Sequence, residues 1–273
     1  MRTLLSLGYS SLLRWLWLVR NYRPLKNYLH HTHGIREIRP ILTCRWHRGS
    51  KYFRAVAVDG ESLFIKMDGN HHLLENEVGA WTQLRHTTAD ASHFLGIRFF
   101  DFTGEYRVVA LEWMDGEPLS VFLKKSQPKE LVLSIIRELV AILVELGRAG
   151  IVHRDFTPDN LLVALSSSAN PRPLVLIDFA CAVIGGVAPL DRFVPLIDLL
   201  DLCNGYKPQE YLWDDAYSCL RIYELIDQAT GVVDTACQAQ VVKRLASLTY
   251  SFDKEAAEQV RMGRFETKDT SCE

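Results

Sequence analysis

Thirteen residues narrow the choice of fold more than any overall property: Ile151-Val152-His153-Arg154-Asp155-Phe156-Thr157-Pro158-Asp159-Asn160-Leu161-Leu162-Val163. After loop 166–173 comes a second short apolar run, Leu174-Val175-Leu176-Ile177, which ends in Asp178-Phe179. Two runs of strand character therefore carry Asp155, Asp159 and Asn160 ahead of the first, and Asp178 directly behind the second. With 273 residues, 48% of them apolar, the chain has material for one large domain or two modest lobes around a substantial core.

The stretch resembles the catalytic loop and metal-binding segment of the protein-kinase-like superfamily, HRDxxxxN followed by DFG, with Asp155 and Asn160 at that family's five-residue spacing. The resemblance runs from about residue 48 to 205. It implies an α+β bilobal fold with a small antiparallel-sheet N-lobe and a larger helical C-lobe. It implies ATP and Mg²⁺ as cofactors, with Asp155 orienting the attacking hydroxyl and Asn160 and Asp178 holding the metal against the nucleotide phosphates.

Upstream, 52–58 and 62–67 flank Asp59-Gly60-Glu61, a strong hairpin signal. Lys66 closes a Leu-Phe-Ile-Lys run similar to the family's Val-Ala-Ile-Lys, which would set its ammonium on the α and β phosphates. Over 73–84 the apolar residues recur at helical spacing, and Glu77 shares their face while Glu75 points away. Glu77 is accordingly preferred as the partner of Lys66. Residues 106–113 read as a buried strand leading to a turn cluster at Gly116, the place of the hinge whose backbone reads adenine, which makes Glu112 and Met114 nucleotide-binding candidates. Taken singly, each of these residues would be an ordinary solvated or core side chain. His153 and Arg154 are expected to support the loop rather than react.

Three departures matter. The glycine-rich loop is reduced to Arg48-Gly49-Ser50-Lys51, so phosphate contact would come from fewer amides around Gly49 with help from Lys51. Thr157 and Ala180 stand where protein kinases carry lysine and the DFG glycine. Only about twenty residues separate Asp178 from Asp198-Leu199-Leu200-Asp201-Leu202, with no Ala-Pro-Glu segment between. That abrupt passage resembles the bacterial lipopolysaccharide core kinases, which phosphorylate heptose or Kdo sugars. In that resemblance Asp198 starts a central helix and braces the catalytic loop. Aminoglycoside-type phosphotransferases share the fold but typically show glycine where this chain has Arg154.

Charge is informative once it is sorted by position. Overall, 31 Lys+Arg face 33 Asp+Glu, and a net charge of −2 argues against nucleic acid as a partner. Yet the first acid is Glu37, preceded by Arg2, Arg14, Arg20, Arg23, Lys26 and Arg36 among leucines and tryptophans. Residues 3–19 are at the lower limit for spanning and contain Arg14, and no cleavage site follows, so an in-plane contact with an anionic membrane surface is expected, with packing on the chain's own domain as the alternative. The six cysteines form no CxxC pair and read as reduced core thiols of a cytosolic protein, and His30, His31 and His33 read as a polar or membrane-surface turn.

These readings divide the chain into a basic, apolar segment 1–36, an N-lobe 37–114, a helical C-lobe 115–263 and a polar tail 264–273. The expected function is an ATP-dependent phosphotransferase acting on a sugar or glycolipid acceptor at the cytoplasmic face of the inner membrane. A compact bacterial Ser/Thr protein kinase and a non-catalytic nucleotide-binding regulator are the alternatives.

Overall fold

The computed structural model describes residues 2–42, 51–67, 71–88, 93–165, 174–188, 199 and 201–252, with side chains of its first two helices described from Trp15 and His72 onward. Gly49, Asp198 and the polar tail lie outside these residues.

The first lobe is a five-stranded antiparallel sheet in the order β1-β2-β3-β5-β4. Its strands are β1 (Ile35–Ile41), β2 (Lys51–Ala57), β3 (Ser62–Met67), β4 (Ile97–Asp101) and β5 (Val108–Glu112). The β2–β3 turn is closed by the Asp59 carboxylate, which accepts from the Glu61 N–H at 3.0 Å, while Gly60 takes φ 90°, a region where a side chain would be strained. β1 and β4 carry no hairpin signal in the sequence. β1 is an edge strand, which is why it tolerates Pro40.

Alternation along the strands gives the sheet two different faces. Phe53, Ala55, Leu63, Ile65, Val108 and Ala110 form the rear, where they pack on Leu18, Leu25 and Leu29 of the long helix α1 (Arg2–His33). Full burial of a leucine such as Leu25 contributes about 2 kcal/mol. Phe64, Lys66, Val109 and Leu111 form the front, against α2 (His71–Thr87), whose Leu74 and Val78 cover it. The three histidines occupy the last turn of α1 rather than a free turn, and His33 stacks on Phe99 with centroids 4.1 Å apart. No described helix is long and apolar enough to cross a membrane.

The second lobe begins with β6 (Gly116–Pro118), α3 (Leu119–Phe122) and α4 (Lys129–Ala149), which ends on Gly150 in the left-handed conformation. Short strands follow: β7 (Ile151–Val152), β8 (Leu161–Ala164), β9 (Leu174–Leu176) and β10 (Val183–Ile184). α4 presents Ile135, Leu139, Ile142, Leu143 and Leu146 to Cys219, Ile222 and Ile226 of α5 (Asp215–Thr230) in one continuous core. α6 (Thr235–Val242) completes the helices. The sequence predicts helix throughout this region, but β11 (Leu212–Asp214) and β12 (Thr249–Ser251) pair antiparallel. The pairing brings Trp213 and Tyr250 together, with centroids 6.1 Å apart, as a platform whose use appears below.

The lobes join covalently through residues 113–115 and a second time through a clasp. His93 is 3% exposed, with Nδ1 2.9 Å from Glu145 Oε1 and Nε2 against Glu138, both on α4. The His93 carbonyl accepts the Leu176 N–H at 2.9 Å.

Candidate active site

The loop after β7 is fixed from beneath. Asp215, at the start of α5, accepts the His153 N–H at 2.6 Å and the Arg154 N–H at 3.3 Å. Arg154 takes φ 65°, a strained conformation for a residue with a side chain. The surroundings hold it there. Its Nε donates to the Cys181 carbonyl at 2.7 Å, and the fully buried guanidinium lies over the rings of Tyr250 and Trp213 at 5.0 and 5.5 Å. His153 is neutral because burial pulls its pKa down to about 4. The Ile177 carbonyl, 3.1 Å from Nε2, can only accept, so the ring proton sits on Nε2 and Nδ1 accepts the Asp155 N–H at 3.3 Å.

The result is a directed carboxylate. Asn160 Nδ2 donates to the Asp155 carbonyl and to its Oδ2, each at 2.8 Å, and the Cys203 N–H donates to Oδ1 at 3.0 Å. The Ile177 N–H bonds the Asn160 carbonyl at 2.9 Å, which sets Asn160 beside the strand end that carries Asp178. An amide oxygen and a carboxylate are hard donors of the kind Mg²⁺ takes together with substrate phosphates, so the pair fits that ion. Groups of three or more His, Cys, Asp or Glu that could hold a metal are absent among the described residues.

Across the cleft, Lys66 Nζ is 2.7 and 3.0 Å from the two Glu77 oxygens and 3.1 Å from Asp178 Oδ1. Burial opposes the ammonium, but the carboxylates of Asp178 and Glu77 outweigh it and hold the Lys66 pKa above its ordinary value. Glu75, exposed, pairs with Arg107 instead. Asn76, next to Glu77, donates to the Ala180 and Ala182 carbonyls at 3.1 and 2.8 Å, tying α2 to the segment after Asp178.

Between the lobes Lys66, Glu77 and Asp178 line a cavity of about 230 Å³, walled by Ile41, Leu111, Leu162 and Leu176 with Trp113 and Met114 at the hinge. That apolar slot suits a planar base. The Glu112 carboxylate turns aside to the Gly96 N–H at 3.2 Å, where a Cβ on Gly96 would come within 2.6 Å of it, and the Glu112 N–H bonds the Gly96 carbonyl at 2.9 Å. Trp113 is steadied by the Arg54 guanidinium 4.5 Å over its ring.

One candidate is not brought to the cleft. Lys51 pairs across from Met67 and so falls on the rear face, its ammonium 5.0 Å over the Trp17 ring, while Tyr52, opposite Lys66, takes the front. Two contributors are absent from the sequence expectations. Asp215 braces the loop, the role expected of Asp198, which lies outside the described residues, and Cys203 supplies its backbone N–H to Asp155. The available signal for the first was Asp214-Asp215 opening an amphipathic helix, with Asp214 as its N-cap. The second carries no signal, because it is a main-chain group. Cys203, Cys219 and Cys237 are buried free thiols, and burial pushes Cys203 up to about 12.

Residues 126–189, which hold α4 and the loop through Asp178, match the model of a phosphotransferase enzyme family. A serine/threonine-protein kinase of Drosophila erecta is 29% identical over 121 residues, covering 43% of this chain and 15% of the relative; one of Drosophila melanogaster matches to the same extent. A serine/threonine-protein kinase of Myxococcus xanthus is 27% identical over 129 residues, 45% of this chain and 15% of the relative. The chain thus matches about 15% of the length of these relatives.

Proposed function

We propose that the chain is a kinase that moves the γ-phosphoryl of ATP to a hydroxyl on a small acceptor. The carrying observation is that Lys66, Glu77 and Asp178, drawn from both lobes, line one cavity, while Asp155 and Asn160 line a polar hollow tied to it by the Ile177 N–H on the Asn160 carbonyl, one residue before Asp178. Asp155, aimed by Asn160 and the Cys203 N–H, takes the acceptor's proton as its oxygen bonds to the γ-phosphorus and the bond to ADP breaks. Lys66, kept charged by Glu77, grips the phosphates. Asn160 and Asp178 would hold Mg²⁺, which when bound neutralises charge on the transferring group.

The acceptor proposed is a sugar hydroxyl of lipid-linked lipopolysaccharide core, met at the cytoplasmic face of the inner membrane. Supporting this are the matched phosphotransferase family, the short passage from Asp178 to Asp201, and the side chains around Asp155. Ser120, Thr157, Asp159, Asp201, Asn204 and Tyr206 line a polar hollow there, suited to a polyhydroxylated molecule. Purified protein with radiolabelled ATP should phosphorylate extracted core glycolipid and leave a basic protein unlabelled. The reverse pattern would establish the second reading, a protein kinase, which the Drosophila and Myxococcus relatives favour. Nucleotide binding without Mg²⁺-dependent ATP consumption on any acceptor would overturn both.

A further inference from the structure

The helix α1 has one face occupied and one open. Leu18, Leu25 and Leu29 are sunk in the sheet core, yet Trp15, Leu16 and Val19 are 60%, 57% and 82% exposed. Immediately C-terminal, that face turns basic, with Arg20, Arg23 and Lys26 all exposed. None of the three has an acidic partner among the described residues, whereas Arg39, beyond the helix, meets Glu37 at 3.5 Å. An apolar stripe continued by unneutralised cations, on a rod of 32 residues or about 48 Å, is complementary to a layered surface that is apolar inside and anionic at its rim.

We propose that the outer face of α1 docks on an anionic lipid bilayer, lying in its surface with Leu16 and Val19 inserted and Arg20, Arg23 and Lys26 at the headgroups. The proposal does not rest on the acceptor's identity; it stands on exposure and charge alone. A second copy of the chain is a poorer occupant, because the same three cations would face each other across a symmetric contact.

The test is sedimentation of the full chain with vesicles of phosphatidylcholine and phosphatidylglycerol in equal parts, against phosphatidylcholine alone. Binding to the anionic vesicles alone, weakening as salt is raised, is expected. Each of Arg20→Gln, Arg23→Gln and Lys26→Gln should cut the partition coefficient roughly fivefold, and Val19→Glu should abolish pelleting with the melting temperature unchanged. Equal pelleting on both vesicle types, or undiminished pelleting of the triple Gln variant, would overturn the proposal. So would a concentration-dependent dimer that Val19→Glu dissociates while no vesicle binds.

Discussion

Glu77 and Asp215 are both buried carboxylates that serve the same site, and they are kept by opposite means. Glu77 faces a full positive charge, the Lys66 ammonium, which belongs to another element and also reaches Asp178 in the other lobe. Asp215 faces two backbone N–H groups of the loop it braces and no salt-bridged cation among the described residues. Burial raises the pKa of both carboxylates, that of Glu77 in spite of the Lys66 ammonium and that of Asp215 to about 7. The first arrangement is a contact between separate elements secured by charge; the second is a joint secured by hydrogen bonds. Gripping phosphates requires an ammonium that stays charged at every physiological pH, while a support needs only its geometry.

The largest effect belongs to the group between the two. Asp155→Asn should lower turnover by roughly 10²–10⁴-fold while leaving nucleotide affinity and melting temperature nearly unchanged, measured by steady-state kinetics and nucleotide titration. A modest change would mean that the brace aims a residue of no chemical consequence. Next comes the charged arrangement. Lys66→Met strands Glu77, 3% exposed, without its cation, and should cost about 3–5 kcal/mol by denaturant unfolding. Adding Glu77→Met should restore most of that stability and none of the activity. If the double variant is as unstable as the single one, the two residues do not act as a charge pair.

The hydrogen-bonded joint is expected to cost less, about 1–3 kcal/mol for Asp215→Asn, which keeps one accepting oxygen but presents an amide to a second donor. Its distinctive mark is pH. Asp215 rises from its ordinary 3.8 to about 7, so the fold favours its protonated form, and that stabilisation is lost as pH climbs from about 4 through 7. His153 moves the other way, from 6.5 to about 4, so the stability it contributes is present above pH 6.5 and lost as pH falls through 4. At full extent the two trends amount to about 4 kcal/mol for Asp215 and about 3 kcal/mol for His153. Between pH 4 and 6.5 they oppose each other, and the intact protein should vary little on their account. Unfolding curves across this window should separate them: Asp215→Asn should lose stability on acidification, and His153→Phe should gain it. Parallel profiles for the two variants would refute the opposed titrations of Asp215 and His153.

The contiguous part of the site was legible because its residues are close in the chain and each type answers one chemical need. Asp155, Asn160 and Asp178 depend on two short strands whose apolar runs are visible, and Lys66 and Glu77 on a hairpin and a helix with clear periods. Asp215 was not legible, since it meets His153 across 62 residues and only the packing of α5 on α4 puts it there. Lys51 illustrates a different failure. The turn Asp59-Gly60-Glu61 implies which residues pair, and alternation then assigns Lys51 to the rear, but its chemistry drew it toward the phosphates. The β11–β12 pair was hidden because three-residue strands carry too little pattern to outweigh the helical spacing around them.

The clasp at His93 has a mechanical consequence. That clasp is one of several ties between the lobes beside the covalent link at 113–115: the imidazole held between Glu138 and Glu145, Asn76 on the Ala180 and Ala182 carbonyls, and Gln83 on the Ala149 carbonyl. Together they fix α2, and with it Glu77, against the segment that carries Asp178.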